Sequence, residues 1–258
     1  NMNNLSLNYS IQGKGEPFFI IHGLFGSSRN WKSLAKRFAE HFQVILLDLR
    51  NHGDSPFDSA MDYQVMVDDV VRLMQQLEIP SAHILGHSMG GKVAMKLNQL
   101  YPDKVKKLVI ADIAPVRYQH DYVDIINAVL DLDLSAITSR KEADHQLESG
   151  IPDQRIRQFL LQNLTFQQGV ACWSINWQAL QANMSLIIGY EDITHWQIQN
   201  PSLFIRGSLS PYVSKDSLKS IQSHFTRVEV VTLENAGHWL HAEQPAAFFD
   251  AVIKFLKS

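Results

Sequence analysis

The chain has 258 residues, 45% hydrophobic and 19% charged, a balance that suits a globular protein with one large α/β domain or a core plus a small insertion. A net charge of −3, with no basic stripe and no interleaving of aromatic and basic residues, argues against nucleic acid as a partner. No apolar run approaches the roughly 20 residues of a membrane span, and a single cysteine, Cys172, cannot form an internal disulfide, so the expected compartment is the cytoplasm.

Asn1 ahead of Met2 is expected to be an expression remnant, and Asn1 to Ser10 lacks the charged and apolar regions of a secretory signal. Asn4 to Ile11 alternates apolar and polar residues and predicts an edge strand. Phe18 to Ile21 is a continuous apolar run, the pattern of a strand buried on both faces, and His22 to Ser27 leads into a helix near Arg29 to Phe38. Phe42 to Leu47 is a second buried strand, ending at Asp48. A helix is expected from about Asp62, because Met66, Val67, Val70, Val71, Met74 and Leu77 recur at helical spacing. Ala82 to Leu85 and Lys107 to Ala111 predict two further buried strands, with a helix over Gly91 to Leu100 between them.

Strands alternating with helices imply a mostly parallel sheet covered on both faces, with function gathered at the carboxyl ends of the strands. That rhythm stops after Pro115. Up to about Trp196 the sequence predicts helices at Tyr122 to Leu130, Ser139 to Glu148 and Asp153 to Leu164, an aromatic segment from Trp173 to Trp177, and no buried strand. Asn183 to Ile188 fits either period. The rhythm returns with Ser202 to Arg206, a helix over Ser214 to His224, a strand over Val228 to Leu233 and a last helix from Pro245 to Leu256. The expected division is a core of residues 1–114 and 200–258 with an α-helical cap, 115–199, inserted over the carboxyl edge.

The chemistry centres on Gly86-His87-Ser88-Met89-Gly90, which reads G-x-S-x-G between a strand and a helix. A serine on that turn is exposed at the sheet edge, and the helix behind it aims free N–H groups at developing negative charge. The hydroxyl needs a base and an acid to orient the base. Of eleven histidines, His238 fits best, since a short loop ending in Gly237 carries it from a buried strand to the carboxyl edge. His22 and His52 precede the serine and are read as turn-stabilising, while His241 is read as a rim residue. Asp112, at the end of the strand after the nucleophile helix, is the expected acid; Asp216 and Glu234 are the competitors, and Ser210 is a supporting hydrogen-bond partner. The backbone N–H groups of Leu24 and Met89 are the expected oxyanion donors. Phe25, Tyr212, Trp173 and Trp177 are candidate walls of a substrate pocket, with core packing as the competing assignment for each. Acyl transfer by these groups calls for no metal or organic cofactor.

These residues resemble the α/β-hydrolase superfamily over nearly the whole chain, through His22-Gly23, Asp48-Leu49-Arg50-Asn51-His52-Gly53-Asp54-Ser55, the Ser88 motif, and Gly237-His238 followed by Glu243 and Pro245. Members more often have glycine where Asn51 stands, a change expected to affect only a turn. Ser210 stands where most members place the acid. With Asp112 and the cap, that departure is similar to the bacterial YbfF-type esterases. The resemblance implies an acidic role for Asp112, help from Ser210, and hydrolysis of short acyl esters and acyl-CoA thioesters. It leaves open C–C bond hydrolysis, a menaquinone-pathway elimination, and a binding protein without catalysis. Composition sets no oligomeric state.

Overall fold

A computed structural model describes residues 5–190 and 196–258. Asn1 and Met2, and the first residue of the strand expected from Asn4, lie outside those residues.

Seven strands form one sheet. In chain order they are β1 (Tyr9–Gln12), β2 (Pro17–Ile21), β3 (Gln43–Leu47), β4 (Ala82–His87), β5 (Val105–Ala111) and, after a long insertion, β8 (Ser202–Gly207) and β9 (Val228–Leu233). Their spatial order is β1-β3-β2-β4-β5-β8-β9. Only β1 runs antiparallel to its neighbour, which makes the sheet the mostly parallel one that the alternating pattern predicts. The edge strand is shorter than expected: Leu5 and Leu7 are buried, but regular pairing begins at Tyr9.

Alternate residues of each strand point to opposite faces. Phe18 and Ile20 of β2 pack with Leu34 and Phe38 of α1 (Lys32–Phe38) and Phe248 and Val252 of α11 (Pro245–Leu256). Phe19 and Ile21 pack on the other face with Met66, Val70 and Met74 of α2 (Tyr63–Gln76) and Val93 of α3 (Met89–Leu100). Asp62 starts α2 as the sequence suggests, its side chain accepting the Val65 N–H at 2.8 Å. The helix expected from Arg29 instead opens as a 3-10 turn over Ser28–Trp31 before α1 begins.

The insertion holds α4 (Val123–Leu130), α5 (Arg140–Leu147), α6 (Gln154–Leu161), β6 (Leu164–Gln167), β7 (Val170–Trp173), α7 (Trp177–Ala182) and α8 (Met184–Ile188). The β6–β7 hairpin adds two short, partly exposed strands to a segment expected to be helical, and α6 ends at Leu161 rather than Leu164. The turn is the cause. Gln168 and Gly169 both have positive φ, 52° and 79°, the geometry a two-residue hairpin loop needs. Cys172 is half-buried on β7 with its sulfur 3.0 Å from Thr165 Oγ1. The ambiguous segment 183–188 is helical from Met184. The remaining elements are α9 (Lys215–His224) and α10 (Leu240–Glu243).

The tightest approach in the fold lies where β4 turns into α3. A Cβ on Gly90 would overlap the carbonyl oxygens of Ile21 and His22 at the end of β2. We expect Gly90→Ala to lower stability by about 2 kcal/mol or more, the cost of overpacking a site that cannot relax, read as a fall of several degrees in Tm.

Candidate active site

Every group at the site is delivered by the carboxyl end of a parallel strand. Ser88 sits between β4 and α3 with φ 56° and ψ −121°, a left-handed conformation that side chains rarely adopt. The turn is held because Ser88 N–H donates to Ala111 O at 3.1 Å while Ser88 O accepts the N–H groups of Gly91 and Lys92. Its Oγ lies 2.9 Å from His238 Nε2. His238 Nδ1 lies 2.7 Å from Asp112 Oδ2, and since a carboxylate only accepts, Nδ1 carries the proton and Nε2 is left to face the serine.

Asp112 is fully buried, just beyond β5, and also has positive φ, 52°. Burial of a carboxylate demands donors. Besides His238, it receives Gly207 N–H at 3.1 Å on Oδ1 and a short hydrogen bond from the Ser210 hydroxyl on Oδ2. The structure thus brings Ser88, His238, Asp112 and Ser210 together. The competing acids stay away: Asp216 is exposed in the first turn of α9, and Glu234 is exposed in the loop after β9.

The loop after β2 carries Leu24. His22 Nε2 accepts Leu49 N–H at 2.9 Å, so its Nδ1–H donates to Gly23 O at 2.8 Å. His52 Nε2 accepts Phe25 N–H at 3.1 Å, so its Nδ1–H donates to Arg50 O at 3.0 Å. Both rings must be neutral to do this, and burial lowers both, His52 to about 3. The two histidines therefore fasten the loop on either side of Leu24, the turn-stabilising job read from their positions. Phe25 N–H is committed to His52, whereas the N–H groups of Leu24 and Met89 donate to no acceptor among the described residues. Those two amides are the donors left for an oxyanion.

Three residues hold parts that the sequence did not assign them. His87 Nε2–H donates to the carbonyl of His238 at 2.7 Å, which fixes the loop carrying the base. Burial, with the His238 ring beside it, pushes His87 down to about 3, so it stays a neutral donor. His241 is not at the rim but buried, stacked on Trp31 with ring centres 4.1 Å apart. Asn51 does more than form a turn. Its φ of 67° suits asparagine, and its Oδ1 accepts both Asp58 N–H at 2.8 Å and the Asn176 side chain at 3.0 Å, joining this loop to the insertion.

Ser88 opens into two cavities. The larger, about 300 Å³, lies between insertion and core and is walled by Leu24, Phe25, Ile125, Ile156, Phe159, Tyr212 and Trp239. Tyr212 stacks on the His238 ring at 3.9 Å and bonds through its hydroxyl to Tyr122. The smaller, about 30 Å³, is bounded by Leu24, Met89, Lys92 and tyrosines 63, 118, 122 and 212. Trp173 and Trp177, expected at the pocket wall, reach neither. Trp177 is buried against Phe25 at 5.2 Å, and Trp173 packs edge-on against Trp177 at 5.5 Å, so both pack the insertion onto the loop after β2. Among the described residues no cluster of His, Cys, Asp or Glu could hold a metal ion, and no helix is long and apolar enough to cross a membrane.

The family profile described as alpha/beta hydrolase fold matches residues 16–245. This chain belongs to the α/β-hydrolase family. It is 37% identical to Esterase YbfF of Escherichia coli, over 95% of this chain and 94% of that protein. It is 36% identical to an sn-1-specific diacylglycerol lipase of Danio rerio, over 98% of this chain and 83% of that one. Among solved structures, one described as a marine microorganism esterase shares 38% identity and superposes with a TM-score of 0.94, covering 97% of this chain and 99% of its own. Within this α/β-hydrolase, Asp48 ties the loop after β2 to the turn over residues 48–55: its carboxylate accepts Ser28 N–H at 2.8 Å and Asp54 N–H at 3.0 Å. Arg50 anchors the same turn to α2 through a buried two-point pair with Asp69, at 2.7 and 2.9 Å.

The hydrogen-bond chain makes two separable predictions for ester hydrolysis. Asp112→Asn should lower kcat by about 10³- to 10⁴-fold, because an amide at Oδ2 no longer holds the proton on Nδ1; Asp216→Asn should leave it unchanged. Ser210→Ala should lower kcat about tenfold, the scale of one hydrogen bond to a charged group, with KM little altered.

Proposed function

We propose that this protein is a serine carboxylic ester hydrolase acting through an acyl-Ser88 intermediate. The observation that carries this reading is the unbroken run Ser88 Oγ–His238 Nε2–Nδ1–Asp112 beside two uncommitted amides. The esterase and lipase names of relatives above 35% identity support it.

The geometry gives each group a task. His238 Nε2 takes the proton of Ser88 Oγ as that oxygen bonds to the ester carbonyl carbon. The carbonyl oxygen becomes an oxyanion facing Leu24 N–H and Met89 N–H. When the tetrahedral adduct collapses, the bond to the alcohol or thiol breaks and His238 Nε2–H protonates the leaving group. Water then enters, gives its proton to His238 and attacks the acyl carbon; collapse releases the acid and returns the proton to Ser88. Asp112, with Ser210 and Gly207 N–H behind it, keeps the imidazolium oriented throughout. No step needs a metal or an organic cofactor.

For the substrate we propose short-chain acyl esters, and acyl-CoA thioesters as a second leaving-group class. We take residues 115–199 as a cap that supplies Tyr122, Ile125, Ile156 and Phe159 to the larger cavity, and the cytoplasm as the compartment on the evidence of a single cysteine.

Hydrolysis of p-nitrophenyl esters from acetate to palmitate tests the reading. Wild type should prefer the short chains, and Ser88→Ala should lose at least about 10³-fold in kcat. A serine-directed phosphonate should label wild type at Ser88. Turnover that survives the substitution would remove Ser88 as nucleophile, and a wild type that neither turns over nor labels would favour a binding protein.

A further inference from the structure

The smaller cavity ends in a cation that the esterase mechanism leaves unused. Lys92 lies four residues after Ser88 on α3, on the same helix face, and helical side chains lean towards the N-terminus. Its ammonium is therefore carried back towards Ser88, and Lys92 lines the cavity together with Ser88, Leu24 and Met89. The side chain is 2% exposed. Nζ donates to Gly189 O at 2.7 Å and to Ile188 O at 3.1 Å, which leaves one of its three N–H groups. Among the described residues no carboxylate lies within ion-pair distance of it. The rings of Tyr118, Tyr190 and Tyr63 stand 4.9, 5.6 and 5.9 Å from Nζ.

A buried ammonium that meets no anion among the described residues is costly. Burial, with Arg117's charge adding to it, accordingly lowers Lys92 to about 7. The hydroxyls of Tyr63 and Tyr118 do not offset the charge, since they donate to Ile187 O and Tyr212 O. Two carbonyls alone would suit a structural clip, but a clip has no need to line a cavity that begins at the nucleophile. The cavity measures about 30 Å³, and a water-sized occupant needs about 10–15 Å³, so it has room for two or three small groups.

We propose that this cavity is the acyl subsite and that Lys92 recognises a carboxylate at the end of the acyl chain. The favoured substrates are half-esters of three- and four-carbon dicarboxylic acids, with the alcohol in the larger cavity. This rests on the esterase reading of Ser88.

Two pairs matched in acyl carbon number test it by pH-stat: ethyl hydrogen malonate against ethyl propionate, and ethyl hydrogen succinate against ethyl butyrate. Wild type should show the higher kcat/KM for the half-ester in at least one pair. Lys92→Met should reduce that half-ester's kcat/KM at least tenfold while the neutral partner changes by less than about threefold. The wild-type ratio needs no variant, so it decides even if Lys92→Met fails to fold. A wild type that prefers the neutral ester in both pairs overturns the proposal, as does a Lys92→Met that lowers both esters by one factor. Ser88-dependent turnover of the neutral esters keeps the esterase reading standing in either case; no Ser88-dependent turnover of any of the four removes both.

Discussion

The close crossing of three backbone segments at the end of β2, β4 and the start of α3 governs the rest of the site. Gly90 lets the helix start lie against the carbonyls of Ile21 and His22, so that Ser88 is held in a left-handed conformation by its surroundings rather than by its own preference. Leu24, on the loop leaving β2, and Met89, the first residue of α3, line one cavity with Ser88. The serine and the two uncommitted amides thus share one geometric decision. Strain at Ser88 and at Asp112, each with positive φ, is kept because strand pairing on both sides over-determines the turn.

Asp112 and His238 add a second layer. The carboxylate is buried where a lone charge would be costly, and three donors from two segments meet it. His238 is in turn gripped from three directions: Asp112 at Nδ1, His87 at its own carbonyl, and the Tyr212 ring across its face. Such over-determination is what general acid–base catalysis needs, since the imidazole must return to one orientation after each transfer.

Much of this was legible in the sequence where a period or a strand end carried it. The five inner parallel strands and the helices packed on them follow from continuous apolar runs and 3.6-residue spacing, and Ser88, Asp112 and His238 are each the residue at or just past a strand's carboxyl end. The features missed have other causes. The strands of the β6–β7 hairpin are four residues long, too short for periodicity to separate from a helix end, and the Gln168-Gly169 turn was its one available signal. His87 acts on a backbone carbonyl 151 residues away, which no composition reveals. Trp173 and Trp177 illustrate the ambiguity of aromatic residues: lining a ligand pocket and filling a core demand the same side chain, and only the placement of the insertion decides. Asn51 was read as a turn residue because its φ is visible in its type, but its partner Asn176 is not.

The insertion is more than a cover laid over a finished hydrolase. Asn163, between α6 and β6, donates its side-chain amide to the carbonyl of Phe25 at 2.8 Å, one residue beyond the Leu24 amide. Asn176 N–H donates to the carbonyl of Asn51 at 3.0 Å, beside the histidine that holds Phe25 N–H. Tyr122 holds the hydroxyl of the ring stacked on the base. Removing the insertion would therefore also unfasten the loop that carries Leu24 and Phe25. The two parts are not modular: a minimal enzyme cut from this scaffold, or a chimera carrying a foreign insertion, has to rebuild those polar anchors before its acyl-transfer machinery can hold its shape.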